Sequence, residues 1–258
     1  MKLPISLLFL ALAVSGFPAM AADSAPVTRV ISLKGIVNGK VSIEGLAGTY
    51  HVDEDFPDNR HISITGREVY VTRVNISQSA DSTLNISVNL PSWLKTPTNS
   101  DLQVSIYGSE LTSLTLSRGS DIEVEGLSST PRSLAINVKG KSRLLFNSPV
   151  KTSVITATVS TGSTLTINRA KADNITMTLS ENSQGYISGA TVIAKLLVNA
   201  SGGSTALVAN SSVNAADFDA TDMSRIDYNI QPRIFIQHST RGGLIKRSNE
   251  IPKDKGLL

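Results

Sequence analysis

The stretch Ala157-Thr158-Val159-Ser160-Thr161-Gly162-Ser163-Thr164-Leu165-Thr166-Ile167 decides the fold. Apolar residues alternate with hydroxyl residues on both sides of Thr161-Gly162-Ser163. This pattern reads as two short strands joined by a tight turn, each with one inward face. The arrangement recurs: serines in turn-like settings stand at 120, 142, 163, 183, 204 and 224, at intervals of 22, 21, 20, 21 and 20. Positions six and four before each serine, and two and four after it, form one quartet per repeat. The quartets run from Leu114, Leu116, Ile122 and Val124 to Phe218, Ala220, Ile226 and Tyr228. Of these 24 slots 23 are apolar, Gly185 being the exception, against roughly ten expected for a chain of this composition. Ile155, Ile175 and Leu196, eight before their serines, add to the core from a third segment that closes each rung.

An all-β chain with a period near 21 fits the coils of a parallel β-helix, a β-solenoid in which rungs lie about 4.8 Å apart and like residues stack in ladders. Six rungs would span roughly 29 Å. A leucine-rich repeat of similar period requires an L-x-x-L-x-L pattern in each repeat with an Asn ladder; here Ile, Val and Ala fill many of the slots and no Asn ladder appears.

The first half has the same chemistry with a looser period. Val41–Ile43, His61–Thr65, Val69-Tyr70-Val71, Leu84–Val88 and Leu102–Ile106 read as alternating strands, separated by turn-rich pieces such as Asp53–Asn59 and Pro91–Asn99. They are expected to form irregular N-terminal coils or a sheet capping the solenoid, because an open strand edge invites pairing. Trp93 and Tyr107 are expected as core anchors near the junction of the halves. Lys2, the apolar run Leu7–Val14 and Ala19-Met20-Ala21 have the form of a signal peptide cleaved before Ala22. The expected organisation is therefore a signal peptide at 1–21, N-terminal coils at 22–110, regular rungs at 111–232 and a polar, mobile tail at 233–258.

Composition narrows the function. There is no cysteine, so the core alone must stabilise the fold. Without Lys2 the chain has 23 basic and 21 acidic residues, a net charge of +2 that does not imply nucleic acid as a partner. No transmembrane segment is long enough to span a bilayer. Export follows, to the periplasm, the outer surface or the extracellular space.

Leu111-Thr112-Ser113-Leu114-Thr115-Leu116 before a glycine-serine turn, the recurring serine turns, and the ending Ser224-Arg225-Ile226-Asp227-Tyr228-Asn229-Ile230-Gln231-Pro232 resemble the bacterial GIN-domain family. That family is described as auto-transporter adhesin heads. The likeness covers roughly 30–232. Members usually end their last rung I-x-Y-x-G-x-P; Ile230 stands at the glycine, which marks a divergent member. The resemblance implies a right-handed parallel β-helix, secreted or envelope-associated, with no established enzyme activity, and no cofactor is expected.

Because the inward positions are committed to the core, candidate contacts must face outward. Thr115, Asn137, Thr158, Thr178 and Asn199 lie five before their serines, and Ser117, Ser160, Ser180 and Ser201 lie three before. Together they make a hydroxyl and amide strip able to hydrogen-bond a glycan or another cell-surface component, although Ser and Thr also suit any solvent-facing strand. Asp121, Glu123 and Glu125 alternate outward, with Arg143 one rung from Asp121. Asp217, Asp219 and Asp227 are expected to gather on the last rung, as carboxylates for a polysaccharide hydrolase or lyase or as ligands for an ion. The D-x-[DN]-x-[DN]-G spacing of a calcium loop is absent, and polarity at a solenoid end explains these residues as well. Gly140-Lys141-Ser142 lacks the earlier glycine of a phosphate loop, and His51, His61 and His238 lack metal-site spacing. A non-catalytic binding protein is thus the leading reading, with a polysaccharide-acting enzyme and a structural periplasmic protein as alternatives; the oligomeric state is open.

Overall fold

In the computed structural model of the protein, residues 25–33, 39–52, 60–95, 97, 101–108, 111–126, 132–189 and 191–248 are described. The expected signal peptide, the Asp53–Asn59 turn and the last ten residues of the expected tail lie outside them.

The first half contains β1 (Val27–Ser32), β2 (Lys40–Glu44), β3 (Ala47–Val52), β4 (His61–Gly66), the one-turn helix α1 (Glu68–Val71), β5 (Val74–Gln78), β6 (Leu84–Val88) and β7 (Leu102–Gly108). The next elements are β8 (Ser113–Ser117), β9 (Asp121–Glu125), β10 (Ser133–Val138), β11 (Arg143–Phe146), β12 (Val150–Val159), β13 (Thr164–Asn168) and β14 (Ala170–Leu179). The chain finishes with β15 (Gln184–Ser188), β16 (Val192–Ala200), β17 (Thr205–Val208), β18 (Ser212–Ala220), β19 (Arg225–Tyr228), β20 (Ile234–Ser239) and β21 (Leu244–Arg247). From β8 onward, even-numbered strands stack in parallel in one sheet and odd-numbered strands in the other, giving a β-solenoid. All 24 quartet positions are buried between the two sheets. At the slot that is not apolar, a Cβ on Gly185 would lie 2.4 Å from Met177 Sδ, so the methionine fills the space the glycine leaves.

The serine turns explain the period. Arg118 and Gly119, Thr161 and Gly162, and Asp222 and Met223 are pairs of consecutive residues with positive φ, at 55° and 74°, 57° and 67°, and 52° and 61°. Ser120 N–H donates to Ser117 O at 3.3 Å across the first pair, the geometry of a type I′ turn. All six serines are at most 1% exposed. Ser142 Oγ donates to Lys139 O at 2.7 Å and accepts the Ser120 N–H of the adjoining rung at 3.2 Å. Ser163, Ser204 and Ser224 accept likewise from Ser142, Ser183 and Ser204 at 3.1, 3.1 and 3.2 Å. The serine is therefore a rung-to-rung clamp that satisfies a backbone N–H out of reach of water.

At the N-terminal end the stacking order departs from the chain order. β2 and β3 lie against β8 and β9, and β6 and β7 lie beyond β2 and β3. β4 on β7, β1 on β4 and β5 on β6 then run antiparallel and cap the sheets. Val69-Tyr70-Val71 is not the expected strand: consecutive Tyr70 and Val71 are both buried, which a strand's alternation does not allow and the helical turn of α1 does. Trp93 is 69% exposed, with the Arg73 guanidinium 5.7 Å from its ring, so it is no core anchor.

The other end also differs from expectation. β20 pairs with β18 and β21 with β19, so residues 234–247 form a further rung in place of a mobile tail. Gly243 occupies the serine position, its N–H bonding Thr240 O at 2.9 Å; a Cβ there would lie 2.0 Å from Ala220 O. Gln237, Ser239 and Arg247 stand in register with inward Phe218, Ala220 and Tyr228, so the last rung lacks the apolar signature. Phe235 closes the core by edge-to-face contact with Phe218 and Tyr228 at 5.2 and 4.9 Å.

Candidate functional site

Parallel register turns the outward positions into continuous lines. Thr115, Asn137, Thr158, Thr178 and Asn199 are direct register partners across β8, β10, β12, β14 and β16. Their line extends to Asp219 and His238 at one end and to Ser42, Asn85 and Ser77 at the other. Ten hydrogen-bonding side chains thus cross one sheet at about the 4.8 Å interstrand spacing. The second row does not continue this face. Ser117 ends β8, whereas Ser160, Ser180 and Ser201 follow their strands into the turns, and Ser201 Oγ donates to Leu179 O at 3.3 Å. The next outward line on the sheet runs Lys40, Ser113, Ala135, Thr156, Thr176, Leu197, Asp217 and Ile236, so it is polar in part and interrupted by Ala135, Leu197 and Ile236, whereas the first ladder is polar without a break.

The three last-rung aspartates are not brought together. Asp217 and Asp219 project from β18, while Asp227 lies on β19 in the other sheet and accepts from Arg225 Nε at 2.6 Å. Among the described residues no group of three or more His, Asp or Glu is placed to hold a metal ion. Asp121 and Glu123 face outward as expected, beside a depression of about 190 Å3, and both are engaged: Arg143 Nη1 lies 3.7 Å from Asp121, and Asn147 Nδ2 donates to Glu123 at 2.6 Å.

Two features have no counterpart in the sequence reading. Tyr107 is not the expected core anchor: on the outer face of the odd-numbered sheet it stacks between His51 and His61 with centroid separations of 4.7 and 4.4 Å. β7 lies between β3 and β4 there, although Tyr107 is far from both histidines in the chain. His51 Nδ1 is 3.3 Å from Glu125. Tyr107 has both ring faces covered, so this is a cross-strand stabilising ladder that leaves only the edge of the tyrosine ring for a ligand.

The second is a groove. β14 and β16 bend where two consecutive residues face outward, Asp173-Asn174 and Ala194-Lys195, and the extra length of β12, β14, β16 and β18 forms the rung's third side. An open groove of about 730 Å3 runs over this side, from Lys151, Thr152 and Ser153 to Gln231 and Arg233. None of Asp217, Asp219 and Asp227 lines it, and neither does the polar ladder. The third segment was legible as a core contributor; its bend, set by two outward residues in succession, was the signal available for the groove.

No helix among the described residues is long and apolar enough to cross a membrane. A family profile described as "Putative auto-transporter adhesin, head GIN domain" matches residues 46–232. The fold is similar to crystal structures of a "putative adhesin" from Bacteroides fragilis (15% identity, TM-score 0.68, 88% of this chain and 98% of that one) and of a "putative lipid binding protein" from Parabacteroides distasonis (16%, 0.67, 88% and 98%). A "putative adhesin" from Parabacteroides merdae is also similar (14%, 0.61, 88% and 97%). At these identities the likeness establishes the fold. No curated protein matches the chain.

Proposed function

The chain belongs to the family of "Putative auto-transporter adhesin, head GIN domain" proteins, and from that premise we propose that it is an exported, non-catalytic binding module of the cell envelope whose ligand is a glycan or another cell-surface component. The observation that carries this reading is the ladder from Ser77 through Asn137 and Thr158 to His238, ten polar side chains in register on one flat sheet. A single such hydrogen bond contributes only about 0.5–1.5 kcal/mol net. Equivalent groups repeated along a rigid face suit a ligand that itself repeats, because after the first contact the others form at high effective concentration. The signal-like segment supports export, and the scattered carboxylates favour binding over hydrolysis.

Binding is tested on a glycan array and on isolated envelope material with the full chain and a triple variant, N137A/T158A/N199A. The array is expected to return reproducible ligands whose affinity falls at least about tenfold in the variant, at unchanged circular dichroism. Absence of any reproducible ligand, or equal binding by the variant, overturns the proposal.

A further inference from the structure

The groove on the bent side concentrates positive charge that the protein leaves uncompensated. Lys151 and Lys171 are direct register partners on adjacent strands, and Arg233 stands at the far end. Asp173 is the single acidic residue in the wall. None of the three cations has a salt bridge among the described residues, whereas Arg118, Arg143, Arg225 and Arg241 are each paired with a carboxylate. Like charges directly opposite on neighbouring strands repel. An anion lying over both would turn that repulsion into attraction for each.

The other walls specify the anion. Ser153, Ser212, Asn214 and Gln231 offer hydroxyl and amide groups, and half-exposed Val192 offers an apolar patch. β14 and β16 are paired on both sides at the groove, so no free strand edge is available to an extended peptide backbone. No aromatic side chain lines the groove to stack a nucleic-acid base. A bilayer surface would meet the rims of a concave site and not its floor. We infer that this groove is a second binding site, separate from the polar ladder, for a linear anionic polysaccharide bearing carboxylate or sulfate groups, held by Lys151, Lys171 and Arg233 with its hydroxyls on the polar wall.

Affinity electrophoresis of the full chain through gels containing polygalacturonate, dextran sulfate or neutral dextran tests this. Retardation is expected in one or both anionic gels, with the stronger one identifying carboxylate or sulfate, and none in dextran. K151E/K171E is expected to weaken binding at least about tenfold and K151Q/K171Q to weaken it less, both at unchanged circular dichroism. K139E/K141E makes the same change of net charge at a turn and is expected to bind as wild type does. About 0.5 M salt should abolish retardation, because groove charges are solvent-exposed and screened. The inference is overturned by absence of retardation, equal loss in the two charge-reversal variants, equal retardation by dextran, or tighter binding to an oligonucleotide or an anionic vesicle than to either polymer. Loss of polyanion binding in N137A/T158A/N199A also overturns it as a separate site. Failure here leaves the ladder to be judged by its own array experiment.

Discussion

The hydroxyl of Ser142 is bonded within its own turn to Lys139 O and across the rung boundary to the Ser120 N–H. Ser142→Ala removes both bonds, each worth about 0.5–1.5 kcal/mol net, and leaves the Ser120 N–H only its long turn bond to Ser117 O, so it is expected to cost about 1–3 kcal/mol in denaturant unfolding; a loss within a few tenths contradicts the clamp. The spacing of these serines was legible, and so was their side: they share the even offsets of the apolar quartets, which places them inward. Their rung-to-rung bonds were not legible, because each joins residues about one coil apart. The Met177–Gly185 fit was equally hidden, since it is made across the core between strands of different sheets. Trp93 misleads in the opposite sense: its hydrophobicity suggests a core residue, but the chain passes over the outside of the cap and leaves it exposed.

Between β5 and β6, Asp81 organises the connecting loop of an antiparallel pair. Ser79 Oγ donates to it at 2.6 Å, Thr83 Oγ1 at 2.8 Å and Thr83 N–H at 3.3 Å, with Lys40 Nζ 3.8 Å away. These hydrogen bonds, that of Ser79 foremost, favour the ionised carboxylate and hold its pKa down to about 2. A folded pKa below the unfolded one means that the stabilisation is present above the ordinary carboxylate range and is lost as pH falls toward about 2. The Thr83 amide resonance is therefore expected to titrate near pH 2 and to lose that step in Asp81→Asn; a midpoint in the ordinary carboxylate range contradicts the assignment. The strands of the repeat were read correctly because alternation is a local property of each segment. α1 was read as a strand because Val69 and Val71 favour one, and the requirement to bury Tyr70 and Val71 together prevailed over that preference.

For the whole molecule, the two ends of the stack decide solubility. Antiparallel β1, β4 and β5 close one end, and β20 and β21 lie across the other with polar Gln237, Ser239 and Arg247 in core register. A chain ended at Pro232 would leave β18 and β19 as open edges over Phe218 and Tyr228. Such a truncation is expected to melt several degrees lower and to associate with rising concentration in sedimentation velocity; an unchanged melt and a persistent monomer contradict a capping role. The periodic chemistry of residues 111–232 was enough to establish the strands, the turns, the inward set and the stacking period, because each depends only on neighbours a few positions away. Only the tertiary structure decided that β2 and β3 lie between β7's coil and β9's, that Asp227 stands on a different sheet from Asp217 and Asp219, and that His51, Tyr107 and His61 meet. It also decided that the stacked bends enclose a basic groove. Those features arise where distant parts of the chain come side by side, and the path that brings them there is set by the burial of two open sheet ends and not by any local pattern.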